Sequence, residues 1–358
     1  MSEAYEIAML PGDGIGPEVT EAAQHVLDRA IGKAGIMLRY TAYEAGAGLY
    51  RRTGVSMRDE DVQAVGRADA ILLGAMGLPS VRRPNGTEIA PQIDLREHYG
   101  LFASLRPCKR YAGVASRLDA SEIDMLVIRE TTEGLFAGRH DKYVDDDLSA
   151  SDRLTITRST SEKLFELAFS QARQRRAKHG TRGHVTLLDK ANVLRSNAFM
   201  RKVFDEVAAR HSDIETDRIY IDAGAMMFVT SPERYDVVVT ENVFGDIVSE
   251  IGAGIVGGLG VAPSADVSTT HGIFQPSHGS APDIAGRGIA NPVATVLSAA
   301  LLLDWLAEQH GDARCSDAAD AVRQATASVL LAGPRTADLG GKHNTRDVAQ
   351  AIAAELVH

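Results

Sequence analysis

An α/β fold in two domains is what this sequence predicts, and three features of the chain lead there. Strand-like runs at 69–74, 124–128, 184–188, 217–221 and 236–240 alternate with helical patterns at 17–32, 160–178, 195–210 and 291–309. Such alternation marks strands joined by helices that pack back onto a sheet. Several strands are apolar without interruption, as in Ala70-Ile71-Leu72-Leu73, which suits a sheet covered on both faces. The 358 residues exceed what one hydrophobic core usually organises, so about two domains are expected.

The first strand is Ile7-Ala8-Met9-Leu10, and residues 11–18 turn it into the first helix. A dinucleotide fingerprint would be sought in this loop, yet Pro17 stands where the third glycine of that fingerprint belongs. Pro17 reads instead as the first helical residue, with Glu18 complementing the helix dipole, so a Rossmann fold is not expected. By spacing alone the loop is either a tight turn or a ligand contact. After the strand at 124–128, residues 139–152 are polar and acidic, with Lys142, Tyr143 and three aspartates at 145–147. They precede an alternating segment, Leu154-Thr155-Ile156-Thr157, and read together as a hairpin or arm at about 139–158. Three adjacent aspartates cannot share one face, so no chemistry is assigned to them.

Composition excludes several functions. With 44% hydrophobic and 24% charged residues the chain is neither disordered nor membrane-like, and no apolar run is long enough to span a bilayer. A formal charge of -10 argues against nucleic acid as a partner, because phosphate binding needs a concentrated basic face. Cys108 and Cys315 are the only cysteines and lie far apart, which rules out a disulfide framework or a cysteine zinc site and fits a reducing cytoplasm. The N-terminus enters its first strand without the basic segment and apolar core of an export signal, so a cytoplasmic location is expected.

Residues 241–250 follow the strand at 236–240, and helical spacing there sets Asp246 and Glu250 one turn apart on one face. Two such carboxylates suit a hard divalent cation, Mg²⁺ or Mn²⁺, that keeps positions open for a substrate's oxygens. Arg96, Arg106 and Arg129 are candidate clamps for a dicarboxylate, since guanidinium groups bind carboxylates bidentately. Any one of them alone also fits a solvated ion pair, and Arg129, at the exit of a buried-looking strand, fits that least. Lys190 and Asp222 each follow a strand, the position where ligands collect in open α/β sheets. A lysine there can act as acid or base, or form a structural ion pair. Residues 278–286 are rich in small side chains that let a ligand approach the backbone, and Asp283 can accept both hydroxyls of a ribose.

Together these segments resemble the β-decarboxylating dehydrogenase family, which includes isopropylmalate, isocitrate, homoisocitrate and tartrate or D-malate dehydrogenases. The likeness runs through 11–18, 105–107, 189–194, 240–246 and 278–292 in the family's order. It is closest to isopropylmalate dehydrogenase, with 129–134 leaning toward the homoisocitrate and tartrate branches. The resemblance implies a two-domain isopropylmalate dehydrogenase-like fold with one long mixed sheet shared by both domains. Both chain ends, 1–101 and 257–358, would form the cofactor domain, and 102–256 the dimerisation and metal or substrate domain.

It further implies a homodimer with shared active sites, in which Lys190 and Asp222 enter from the partner. Arg96, Arg106 and Arg129 would hold the carboxylates of a 2-hydroxyacid. Asp222, Asp246 and Glu250 would bind Mg²⁺ or Mn²⁺, and Lys190 with Asp222 would serve as the base. His278, Gly279, Ser280, Ala281, Asp283, Ile284 and Asn291 match positions along the adenosine half of NAD. Ile15 matches a position near the adenine and Asn192 one near the nicotinamide. Asp283 argues for NAD over NADP, because a carboxylate repels a 2′-phosphate.

The chain departs from the family's pattern in three places. Phe136 stands where the family has a tyrosine that helps protonate an enol, and phenylalanine has no hydroxyl to donate. Glu250 replaces an aspartate, which adds one methylene of reach. Gln92 and Ile93, before Arg96, match neither the leucine pair of isopropylmalate enzymes nor the serine of isocitrate enzymes. Oxidation of a D-malate-type 2-hydroxyacid, a 3-substituted malate with decarboxylation, is therefore the leading expectation. Oxidation without decarboxylation on a tartrate- or malate-type substrate, a non-catalytic regulatory subunit, and metal-assisted hydrolysis on an unrelated fold are the alternatives.

Overall fold

The computed structural model describes residues 4–116, 118, 122–140 and 148–356. In chain order the elements are β1 (Tyr5–Gly12), α1 (Gly16–Ala34), β2 (Leu38–Ala42), α2 (Ala47–Thr53), α3 (Asp59–Val65), β3 (Ala70–Ala75), α4 (Pro91–His98), β4 (Ala103–Lys109) and β5 (Asp124–Glu130). There follow α5 (Arg158–His179), β6 (His184–Asp189), α6 (Arg195–Ala208), β7 (Glu215–Tyr220), α7 (Ile221–Thr230), β8 (Val237–Thr240) and α8 (Asn242–Val256). The chain finishes with β9 (Pro263–Val267), β10 (Gly272–Pro276), α9 (Val293–His310), α10 (Ala313–Ala332) and α11 (Thr345–Glu355). The class is α/β and the strands form a ten-stranded mixed sheet, as expected. Among the described residues no helix is long and apolar enough to cross a membrane.

Two compact units divide the chain. Unit 1 comprises Met1–Tyr99, Tyr111–Ser116 and Val256–His358, and unit 2 comprises Gly100–Arg110 and Arg117–Ile255. Residues 111–116, expected in the second domain, belong to unit 1. Gly113 there sits with φ +85° against the backbone of Leu330 and Leu331, and its carbonyl oxygen accepts from Arg335.

Unit 1 has the strand order β2-β1-β3-β10-β9, parallel except for the antiparallel β9–β10 pair. Its central helix, α9, is apolar on nearly every side and correspondingly buried from Val293 to Ala300. Unit 2 has the order β4-β5-β8-β6-β7, with β4–β5 antiparallel and the rest parallel. Phe165 and Phe169 of α5 close over Phe204 of α6, with ring centroids 5.1 and 5.9 Å apart, and anchor that helix pair.

The alternating segment at 154–157 does not form a strand. Only Thr155 pairs, in a single antiparallel bridge with Gly134. Two residues on, the Thr157 N–H donates to Glu133 Oε2 at 2.7 Å and Thr157 caps α5, so the ladder has no donor with which to continue. The aspartates at 145–147 and Tyr143 lie outside the described residues.

Candidate active site

In unit 2 the parallel pairing of β5 with β8 puts Arg129 opposite Thr240, so α8 begins beside the Arg129 side chain. Arg129 is 2% exposed. Its Nε and Nη2 donate to Asn242 Oδ1 at 3.2 and 2.8 Å, and its Nη1 donates to the Asp246 carboxylate. Asn242, Asp246 and Glu250 follow at one-turn intervals along a single face of α8. This close approach needs Gly245, because a Cβ there would lie 2.6 Å from both Cβ and Cγ of Arg129.

Arg106 on β4 is also buried, with its Nε donating to Ser104 Oγ at 3.0 Å. Partial burial pushes the Glu250 carboxyl above its ordinary value. Asp246 adds to that push, while Arg106 and Arg129 oppose it. Two of the three expected clamp arginines, Arg106 and Arg129, thus face two of the three expected metal carboxylates, Asp246 and Glu250. The Cys108 thiol beneath α8 is buried and pushed up to about 12, which keeps it protonated and out of any metal or nucleophile role.

The turn after β5 is tied to α8. Glu130 accepts N–H groups from Thr132 at 2.6 Å and Glu133 at 2.9 Å, and Asn242 Nδ2 donates to the Glu133 carbonyl at 3.0 Å. Glu241 caps α8 by accepting from Phe244 N at 2.7 Å and Val243 N at 3.2 Å. Burial raises the Glu241 carboxyl above its ordinary value, against those two amides and Arg129. A carboxyl raised on folding contributes stability below its unfolded pKa and loses it as pH rises through the folded one. Glu241→Gln keeps an acceptor for the helix without that loss. Its melting temperature is expected to gain on the wild type as pH is raised from about 5 to about 8. Parallel melting curves that keep a constant offset across this range refute the effect.

Lys190 and Asp222 form a separate pair. Lys190 Nζ donates to Asp222 Oδ1 at 2.6 Å, and this bond holds the Asp222 carboxyl below its ordinary value. Asp189 and α6 build the turn that presents Lys190. Buried Asp189 is gripped by Arg201 through two bonds of 2.7 Å, and Asn197 Oδ1 accepts from the Lys190 N–H at 2.8 Å. Asn192 lies exposed in the same turn. The Asp222 side chain is 68% exposed in the first turn of α7. Among the described residues no three carboxylate, histidine or cysteine groups of this single chain gather to hold a metal. Asp222 therefore does not join Asp246 and Glu250 within one copy.

Phe136 offers no hydroxyl. Its ring instead carries the Arg129 guanidinium, 5.4 Å from the ring centroid.

Unit 1 carries the remaining candidates. Ile15 and Val19 of the first loop and helix pack with Ala290, and Ala281 and Ile284 cover them. Gly14, at φ +61°, passes so close to the Ser280 carbonyl that a Cβ would lie 1.9 Å from it, and Ile15 N donates to that carbonyl at 2.8 Å. Asp13 is buried and its carboxylate accepts from Ala47 N, Gly48 N and Gly77 N at 2.7 to 2.8 Å. It therefore holds the loop rather than facing a ligand. His278 Nδ1 lies 2.9 Å from the Gly279 carbonyl, while Nε2 is buried without a partner among the described residues, and burial holds the ring's pKa down. Gly279 and Asp283 are exposed, and Asn291 donates to Asp338 at 2.9 Å. On α4, Gln92 and Arg96 share a face one turn apart, with Ile93 half-buried beside them. Arg96 Nε donates to buried Asp266 at 2.8 Å, and Gln92 Oε1 is buried without a partner among the described residues.

Sequence reasoning passed over Asn242, Gly245, Asp13 and Asp266. Asn242 carried a usable signal, one turn before Asp246 on the same helix. Asp266 carried another, as an acid inside the apolar run 261–267. Gly245 carried none, because its neighbour Arg129 is distant in sequence.

Comparison with known proteins extends this geometry. Residues 6–352 match the family model described as isocitrate/isopropylmalate dehydrogenase. The chain is 41% identical over 353 residues to the 3-isopropylmalate/3-methylmalate dehydrogenase of Methanocaldococcus jannaschii, covering 98% of this chain and 99% of that one. It is 39% identical to the 3-isopropylmalate dehydrogenase of Salinibacter ruber, covering 99% and 95%. Among solved structures it superposes on isocitrate dehydrogenase from Methylococcus capsulatus with a TM-score of 0.86 at 32% identity, covering 99% of this chain and 100% of that one. It also superposes on a β-decarboxylating dehydrogenase from Thermococcus kodakarensis with a TM-score of 0.81 at 34% identity, covering 99% and 96%.

Proposed function

Because the chain belongs to the isocitrate/isopropylmalate dehydrogenase family, we propose that it oxidises a D-malate-type 2-hydroxyacid with NAD⁺ and Mg²⁺ or Mn²⁺, each active site drawing on two copies. The face of α8 carries this reading, since it sets Asp246 and Glu250 against Arg129 and Arg106. That is a place for a cation beside a place for a carboxylate.

The donor set fits both groups. Asp246 and Glu250 are hard oxygen ligands suited to Mg²⁺ or Mn²⁺, and Asp222 of a second copy would complete the set. Ala281 and Ile284, half-buried over the core of Ile15, Val19 and Ala290, with Asp283 exposed and His278 Nε2 without a partner among the described residues, suit an adenosine with a free ribose 2′-hydroxyl. Bound, these groups supply Lewis-acid polarisation and a hydride acceptor.

The chain's own residues do the rest. Arg106 and Arg129 hold a carboxylate of the hydroxyacid. Lys190, hydrogen-bonded to Asp222 at 2.6 Å, takes the hydroxyl proton as the free amine while C2 gives up its hydride. A second copy is favoured by the apolar surface of α7 and α8, where Met226, Val229 and Ile247 are 57%, 46% and 54% exposed.

Gln92 points to the substituent at C3. Its buried oxygen has no hydrogen-bond donor among the described residues, so a substituent carrying a hydroxyl serves it better than an alkyl group. Phe136 favours a second reading in which the reaction stops at the keto acid, since the ring over Arg129 has no proton to give.

The test is NADH formation by the purified protein with NAD⁺ and Mn²⁺ over D-malate, tartrate, 3-methylmalate and 3-isopropylmalate, with CO₂ measured in the same vessel. NADH is expected from at least one substrate, tartrate ahead of 3-isopropylmalate, with NADP⁺ a poor substitute. NADH matched by CO₂ selects oxidative decarboxylation, and NADH without CO₂ selects oxidation alone. Silence across the whole panel sinks the dehydrogenase reading.

A further inference from the structure

We propose that Asn242 is a positioning residue for the carboxylate clamp, one that aims the Arg129 guanidinium and ties that aim to the helix carrying Asp246 and Glu250. The proposal rests on the dehydrogenase reading above, and adds a residue that acts through Arg129.

The orientation of the Asn242 amide is determined from both ends. A guanidinium only donates, so the oxygen must face Arg129, which it meets at 3.2 Å from Nε and 2.8 Å from Nη2. A backbone carbonyl only accepts, so the nitrogen must face Glu133, whose oxygen is 3.0 Å away. The same nitrogen is 3.5 Å from Glu130 Oε2, too long to count for much. Asn242 is 0% exposed, so water cannot replace either partner.

Two bonds along one edge of a planar guanidinium fix its plane. The remaining Nη1 is then directed along α8 toward Asp246, one turn beyond Asn242. Without that edge contact the long arginine stem regains rotamer freedom, which substrate would have to remove on binding. Gly245 lets α8 lie close enough for the contact, since any side chain there would meet the Arg129 stem. Asn242 thus joins three pieces, the end of β5, the turn after it and the first turn of α8.

Asn242→Leu removes both polar ends with the same number of side-chain heavy atoms, whereas Asn242→Asp keeps an acceptor, now charged, for Arg129 and loses the donor to Glu133. Both are compared with wild type by calorimetric binding of malonate as a non-reacting dicarboxylate, by NAD⁺ binding, by KM and kcat, and by melting temperature. Asn242→Leu is expected to weaken malonate binding and raise the hydroxyacid KM about tenfold, the size of a lost hydrogen bond to a charged group. NAD⁺ affinity should stay within about twofold and kcat should fall less than KM rises, while Asn242→Asp recovers malonate binding to within about threefold of wild type.

Unchanged malonate binding in Asn242→Leu overturns the proposal. So does an Asp variant as weak as the Leu variant, or NAD⁺ affinity falling in step, which marks a merely structural residue. If Asn242→Leu does not fold, Asn242→Ala takes its place with the same expectations. Wild-type protein that binds no dicarboxylate and forms no NADH overturns the dehydrogenase reading itself. Wild-type turnover with unaltered variants overturns only the role of Asn242.

Discussion

Lys190→Met and Asp246→Asn proteins, each inactive alone, are expected to regain roughly a quarter of wild-type activity when the two chains are co-expressed. In a random mixture about half the dimers are mixed, and each mixed dimer places both lesions in one site and leaves the other intact. The expectation follows from the split seen in one copy. Lys190 pairs with Asp222, Asp246 and Glu250 line α8, and among the described residues no third ligand joins those two carboxylates. Each single variant should lose on the order of 10²–10⁴ in kcat, the usual worth of a positioned acid or base or a metal ligand. A co-expressed mixture no better than its parents would show that each site is built from one chain. Single variants within about tenfold of wild type would remove Lys190 and Asp246 from the chemistry altogether.

Arg129→Met is expected to lower kcat/KM by about 10²–10³ and to lower the melting temperature as well. Leaving a buried acceptor without its donors costs about 1–3 kcal/mol, while Asp246, 49% exposed, is rehydrated. Asn242 Oδ1 would lose both Arg129 donors at a fully buried position, and Asp246 its guanidinium partner. Arg129→Lys separates charge from geometry. An ammonium restores the positive charge but cannot present one edge to Asn242 while reaching Asp246. Its melting temperature should recover more than its kcat/KM. Steady-state kinetics on the best substrate, set beside thermal melts, give both readings. A methionine variant with kcat/KM within about threefold of wild type would take Arg129 out of the substrate clamp.

Much of the molecule was legible before its structure. The apolar runs at 69–74 and 184–188 fall on β3 and β6 to within one residue, the pattern at 17–32 lies in α1, and that at 195–210 overruns α6 by two residues. Pro17, expected as the first helical residue, is the second residue of α1, which starts at Gly16, and Glu18 does more than complement a dipole. Its carboxylate accepts from Ala290 N at 2.9 Å and from Thr345 Oγ1 at 3.1 Å, tying the helix to segments far along the chain. The segment at 154–157 misled because its alternation is a local pattern, while the partner that diverts it, Glu133, is not local. Residues 111–116 misled for the same reason, since their contacts to Leu330, Leu331 and Arg335 lie more than two hundred positions away.

What the sequence by itself determined is the set of relations that one element contains. Helical periodicity alone places Asp246 and Glu250 on one face, and strand ends alone mark Arg129 and Lys190. What only the tertiary structure decided is which guanidinium faces that helix, and how closely. The answer depends on the β5–β8 register, which sets Arg129 opposite Thr240, and on Gly245 leaving room for the arginine stem. Register is a sum of many cross-strand contacts between distant segments, so no short window of residues encodes it.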